Sequence, residues 1–462
     1  MVVRLANNFR VTRGKNEKPS YAQALQQSTY LPQSAKLLAW SLFLFFFIEN
    51  GTIGLVPKQF YFVYRNMRIS DFLLYGLTLY ALFNVKEYSV LFRSRAFIIP
   101  KLLISYLLFQ FVFSSILYEY NIIEFFFRLK GMWMCFLVFP FLLLLKRGGL
   151  GYLIKLMLPV AVISNMLYIL SAITGIAFLP DIGIAEQSLP GGLKVFRVYG
   201  GTFYGELFFL GFIYLWITKK FRAYQALLAI LFIVPHILAF GRSAWVYFSL
   251  TIVTILIWYA LKERKFRSVL RQIVIVALLA GGLIYAFINF VPQSEYLISA
   301  IDARVSQGQE DLKYKEGTYG SRLANIAAML TLWENNNIFL GIGMHPLWVV
   351  NPVTVQESVY AWGFSDVGWA SVLLAYGLIG FILAVLFQIY YFVVAVKIVK
   401  NTQQYDILIL LVLVLISKLF FDSVINYSYM GLTVGLWGFW SVSISIAALV
   451  YKYEFPNEEF KL

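Results

Sequence analysis

Cysteine occurs once in 462 residues, histidine twice, and charged side chains make up only 13% of the chain. The single Cys135 excludes an intramolecular disulfide and leaves the redox compartment unmarked. No spacing of His, Cys, Asp and Glu reads as a clustered metal site, so neither a metal nor a cofactor is expected. A nucleotide-type glycine loop, a serine–histidine–acid arrangement and any nucleic-acid module are missing too. The first 36 residues are polar and basic with no apolar core, so no cleavable signal peptide is expected there.

Apolar residues fill the space those absences leave. The chain is 60% hydrophobic with a mean hydropathy of +0.74, more than a soluble domain of this length needs. It reads as an all-α integral membrane protein. A helix needs about 20 apolar residues to cross a bilayer. About 12 such stretches recur: 37–57, 70–87, 97–118, 129–145, 151–176, 202–218, 223–240, 243–261, 270–291, 367–397, 405–424 and 430–451. The net charge of +15 points to membrane lipid headgroups as a partner rather than nucleic acid.

With the N-terminus inside, the cytoplasmic segments hold about twice as many Lys and Arg as the external ones, which puts both termini in the cytoplasm. "KQFYFVYRNMR" (58–68) resists, being external yet basic, so the first two spans are shorter or re-entrant. The organisation is a basic tail (1–36), nine spans (37–291), a large external loop (292–366), and three spans with a short tail (367–462). No internal repeat is visible, which argues mildly against a repeat-built transporter.

Within the large loop, Leu323, Ile326, Ala327, Leu330 and Trp333 have the spacing of an amphipathic helix. Ser321 is placed to cap its start, and "NNN" ends it before a glycine-rich turn carrying His345. Arg197, Arg242 and Arg322 each read as lying just before or at the start of an externally facing helix, where a cation opposes the helix dipole. A shared phosphate or pyrophosphate accounts for the three together. The competing reading is of interfacial arginines snorkelling to headgroups.

Asp366 begins span ten, either as an N-cap rivalled by Ser365 or as a general base toward a sugar hydroxyl. His345 is a second candidate base or a solvated loop residue, and His236 reads as a hydrogen-bonded interior residue. Glu206, and Lys418 with Asp422, are intramembrane charges that mark a cavity, although the last two could equally form their own ion pair. Tyr199, Tyr204, Trp348, Tyr360 and Trp362 are outer-loop aromatics, some of which are candidates to stack on sugar rings, and the sequence does not say which.

In order, "FRVYGGTFYGELFFLGFIYL", "AFGRSAWVYF", "GSRLANIAAMLTLWENNNIFLGIGM" and "SDVGWASVLLAYGLIG" resemble the O-antigen ligase and Wzy-type polymerase superfamily, over about residues 190 to 385. The resemblance implies a GT-C-like fold and a metal-independent bacterial inner-membrane glycosyltransferase with an undecaprenyl-pyrophosphate-linked donor. By position, the family's arginines fall on Arg197, Arg242 and Arg322. Where ligases usually read His-Asn, this chain has Ser365-Asp366, as exopolysaccharide and capsule polymerases do. The implied activity is polymerisation of lipid-linked repeat units. Chain-length regulator and flippase proteins are the implied partners, beside the lipid-linked donor and acceptor glycans. A ligase, or a flippase for lipid-linked sugars, is the alternative.

Overall fold

The computed structural model describes residues 31–49, 62–64, 67–119, 121–128, 133–179, 183–189, 193–199, 204–218, 223–238, 242–264, 317–343, 369–402, 406–417 and 436–458, with Leu55 and isolated residues between 266 and 315. The apolar runs are helices: α1 (Gln33–Glu49), α2 (Ile69–Phe83), α3 (Ser89–Arg93), α4 (Ile98–Leu117), α5 (Ile122–Arg128), α6 (Val138–Lys146) and α7 (Leu150–Thr174). They continue as α8 (Gly205–Ile217), α9 (Ala223–Leu238), α10 (Arg242–Glu263), α11 (Gly317–Glu334), α12 (Trp369–Asn401), α13 (Ile407–Ser417) and α14 (Leu436–Glu454). Every stretch read as a span holds one of these helices, apart from 270–291, which lies almost wholly outside the described residues.

Among the described residues, three helices are long and apolar enough to cross a membrane: Arg95–Leu117, Leu150–Thr174 and Trp369–Asn401. The first is α4 extended by a 3-10 turn, Arg95–Phe97. Helices suit such sequences because each satisfies its own backbone polar groups in hydrocarbon. α6 and α13 are apolar all round, and every residue from Leu408 to Ser417 is buried, so they form the centre of the bundle with α14 against them. The long helices are different. Ile382, Leu386, Ile389, Val393 and Val396 of α12 recur every three or four residues and are all exposed. An apolar stripe of that length facing outward is a surface made for lipid.

Two antiparallel hairpins add to the expected all-α architecture. β1 (Phe62–Tyr64) pairs with β2 (Met67–Arg68) just ahead of α2. β3 (Gly183–Leu189) pairs with β4 (Leu193–Tyr199), in register from Gly183 opposite Tyr199 to Leu189 opposite Leu193. The alternating Val195, Arg197 and Tyr199 are typical of a strand, although 177–201 reads as a plain external connection from spacing alone.

Candidate functional site

The helices meet the surface at two ends. The turn end gathers the short reversals after α2, α6 and α12: Arg147 of the second pairs with Glu87 of the first, and at the third Asp406 pairs with Lys452 of α14 and the Thr402 carbonyl accepts from Lys262 of α10. The loop end gathers the hairpins and the loop helix α11.

At the loop end, α8 and α10 run parallel with α9 between them. Phe209 meets Phe248 at 5.9 Å between ring centroids, and Tyr214 stacks on Trp258 at 5.9 Å. Arg242 is the first residue of α10, and Glu206 occupies the first turn of α8. A carboxylate there complements the helix dipole, and Arg242 opposes it. His236, near the end of α9, is half-buried with its ring 4.3 Å from that of Phe248. Tyr204 precedes α8 at φ 51°, is buried, and packs edge-on against Phe46 of α1 at 5.1 Å. It is a packing residue, which corrects the expectation that it offers a sugar platform.

Arg197 and Arg322 do not share Arg242's placement. Arg197 sits in β4 opposite Ala185, and Tyr199 ends that strand. The hairpin leans on the bundle through Ile184, which joins Tyr168, Leu179 and Phe47. Arg322 is half-buried on the second turn of α11, because that helix starts at Gly317 and not at Ser321. No proline interrupts the ladder between those residues, so the backbone simply continues through the serine. The dipole fades within a first turn, so the argument from helix starts holds for Arg242 alone. His345, Asp366, Lys418, Asp422, Trp348, Tyr360 and Trp362 lie outside the described residues.

α11 is tied firmly to α12. Met329 and Leu374 are fully buried against each other's neighbours Ile326, Leu332, Trp333 and Ile342. Leu323 and Ala327 are exposed, so the packed stripe is narrower than the apolar spacing implies. The asparagines end the helix as expected: Asn336 Nδ2 donates to the Leu332 carbonyl at 2.6 Å, and Asn337 Oδ1 accepts from the N–H groups of Phe339 and Leu340.

The turn that follows is spliced into a break in α12. At Gly377 the backbone leaves helical geometry (φ 62°, ψ −170°), which frees carbonyls before it and N–H groups after it. Segment 338–343 meets both sets. Ile342 and Gly343 donate to the Leu374 and Ala375 carbonyls at 2.8 and 3.0 Å, while the Ile338 and Phe339 carbonyls accept from Leu378 and Ile379. Tyr106 of α4 takes the remaining Tyr376 carbonyl at 2.6 Å. Gln110 donates to the Leu340 carbonyl at 3.1 Å and to the Tyr106 oxygen, and Tyr118 donates to the Ile342 carbonyl. The approach is close enough to demand glycine. A Cβ on Gly341 would lie 2.4 Å from the Leu374 oxygen, and one on Gly377 2.3 Å from the Phe339 oxygen. Tyr106, Gln110 and Tyr118 were not singled out from the sequence, although a glutamine inside "LLFQFVF" is the kind of intramembrane polar residue that marks such a junction.

The basic segment 58–68 also finds part of its explanation here. Arg68 lies 3.7 Å from Glu49 at the end of α1, and its N–H donates to Asp71 at 2.8 Å, capping α2. No protein-family model matches the chain, and no curated protein matches it.

Proposed function

We propose that the chain is a polysaccharide polymerase with about twelve spans in a GT-C-like arrangement, acting at the outer face of the bacterial cytoplasmic membrane. A glycan growing on undecaprenyl pyrophosphate donates its reducing end to a hydroxyl of a new lipid-linked repeat unit. The bond from the anomeric carbon to the phosphate oxygen breaks, and a bond from that carbon to the acceptor oxygen forms. The hydroxyl proton passes to a base, and lipid pyrophosphate leaves with its charge.

The observation that carries the reading is Arg242 as the first residue of α10. Helix N–H groups and a guanidinium fork together suit an anion, and they help most where charge develops on the leaving group. Arg322 is a further cation on a helix anchored to the bundle, and Arg197 is a third on the hairpin before α8. Asp366 is assigned as the base, with Glu206 in reserve and His345 behind it. Tyr199, Lys418 and Asp422 are assigned to substrate binding.

In cells, Arg242→Ala abolishes polymer while inserted protein persists and lipid-linked single repeats accumulate. Arg242→Lys rescues poorly, because a point charge does not reproduce two-pronged contact with phosphate oxygens. Full polymer from alanine variants of all three arginines would return them to the role of interfacial anchors.

A further inference from the structure

The turn end holds an open cavity, with Arg93 and Arg95 exposed at its mouth, that the proposed transfer reaction does not use. Its volume is about 490 Å³, and Val90, Arg93, Ser94, Arg95, Tyr453 and Glu454 line it. The walls come from distant parts of the chain: the end of α3, the turn that opens the Arg95–Leu117 span, and the end of α14. They are held in place. Tyr390 and Tyr391 of α12 donate to the carbonyls of Arg95 and Ala96 at 2.6 and 2.7 Å. Ser94 is buried, and its Oγ accepts the Ala96 N–H at 3.1 Å, which leaves the hydroxyl proton to give.

The charges in the cavity do not answer one another. Among the described residues, neither Arg93 nor Arg95 makes an ion pair within 4 Å, although Glu454 lines the same space. Lys397 lies beyond, its ammonium 5.7 Å from the centre of the Tyr453 ring. On the other side the surface turns apolar. Val90 is 57% exposed, and Ile98 and Leu102, one turn apart on α4, are 48% and 49% exposed. Polar groups at the mouth and hydrocarbon along the helix suit an amphiphile with its head in the cavity and its chains against α4.

We propose that the cavity binds the headgroup of an aminophospholipid, a phosphodiester that carries a primary ammonium. Arg93 and Arg95 take the phosphate, as guanidinium forks do, with the Ser94 hydroxyl as a further donor. Glu454 takes the ammonium. The carboxylate sets the choice of lipid: a purely anionic headgroup meets the same arginines but brings nothing positive to Glu454. This inference needs only that these helices lie in a membrane, and it is independent of the polymerase reading.

The test is native mass spectrometry of the detergent-purified full chain, offered equal amounts of phosphatidylethanolamine and phosphatidylglycerol. Wild-type protein keeps phosphatidylethanolamine adducts severalfold over phosphatidylglycerol. Glu454→Gln keeps the shape, removes the charge, lowers phosphatidylethanolamine retention by roughly tenfold, and leaves phosphatidylglycerol retention level or higher. Arg93→Ala with Arg95→Ala loses both lipids, whereas Arg267→Ala, which does not line the cavity, loses neither. A wild-type preference for phosphatidylglycerol, or unchanged phosphatidylethanolamine retention in Glu454→Gln, overturns the proposal. Because Glu454→Gln alters no packing, it decides the matter even if the double arginine variant fails to fold.

Discussion

Where α6 gives way to α7 and α12 to α13, the chain reverses within a few residues and its charged side chains meet each other. Arg147 grips Glu87 with two nitrogens, at 2.8 and 2.6 Å, and reaches the Tyr80 hydroxyl at 2.8 Å. Lys452 pairs with Asp406, both fully buried, while Asp406 caps α13 through the Leu408 and Ile409 N–H groups. At the opposite end the connections are long, and beside the Arg68–Glu49 pair what holds them is largely backbone: a registered hairpin, and a glycine turn spliced into a broken helix. Charges that satisfy one another fasten a structure, and at the turn end these pairs do so while Arg93, Arg95 and Glu454 make no such pair among the described residues. The two ends are thus fastened by different means, and the transfer proposed for the loop end rests on Arg242 at the start of α10, not on this contrast.

The buried pair is where the contrast breaks most visibly. Lys452→Met strands a buried carboxylate and lowers stability by about 3–5 kcal/mol, read as the midpoint of thermal unfolding in detergent. Adding Asp406→Asn restores most of the loss, since asparagine caps a helix almost as well and carries no charge. Equal losses in the single and double variants would show that the pair is not the fastening.

At the loop end the corresponding break is Gly341→Ala. The turn needs φ +71° there, and the new methyl would meet the Leu374 carbonyl. A loss of about 2–4 kcal/mol is expected, together with new protease cutting within 337–343. Gly76→Ala, where nothing lies within 4 Å of the added carbon, is the control and is neutral or slightly stabilising. Matching behaviour of the two variants would mean that the splice does not hold the loop.

The smallest effect is at Glu87, in the turn beyond α2. Its hydrogen bonds from Arg147, more than the charge itself, hold the carboxyl below its ordinary 4.5. The pair's contribution is therefore complete at neutral pH and is lost as pH falls through that lowered value. Glu87 is exposed, so Glu87→Gln changes stability by about 1 kcal/mol or less, and the difference from wild type vanishes in acid. A difference that persists at low pH would assign the effect to packing.

Much of this was readable beforehand, and the failures have physical causes. Long apolar runs specify helices because hydrocarbon tolerates little else. The asparagine stop after Glu334 follows from side chains that compete for the backbone. The splice was hidden because its bonds join backbone groups 30 or more residues apart, and those groups look alike in every sequence; Gly341, Gly343, Gly377 and the intramembrane Gln110 hinted at it without showing what they join. β4 is rich in strand-favouring residues in "LKVFRVY" but neither it nor "GIAEQSL" opposite alternates apolar with polar, so the pairing could not be seen. Of the candidate site, the placement of Arg242 at a helix start was legible. That of Arg322 was not, because a serine inside a helix looks the same as one at its cap.

Polymer formation from purified components tests the central claim most directly. The protein is reconstituted in vesicles with undecaprenyl-pyrophosphate-linked single repeats and no other protein, and the glycans are resolved by size. Wild-type protein is predicted to yield a ladder of multiples with release of undecaprenyl pyrophosphate. Arg242→Ala should yield single repeats only, and Asp366→Asn a ladder slowed roughly a hundredfold. Single repeats left unextended by folded wild-type protein, or a full ladder from Arg242→Ala, would contradict the account.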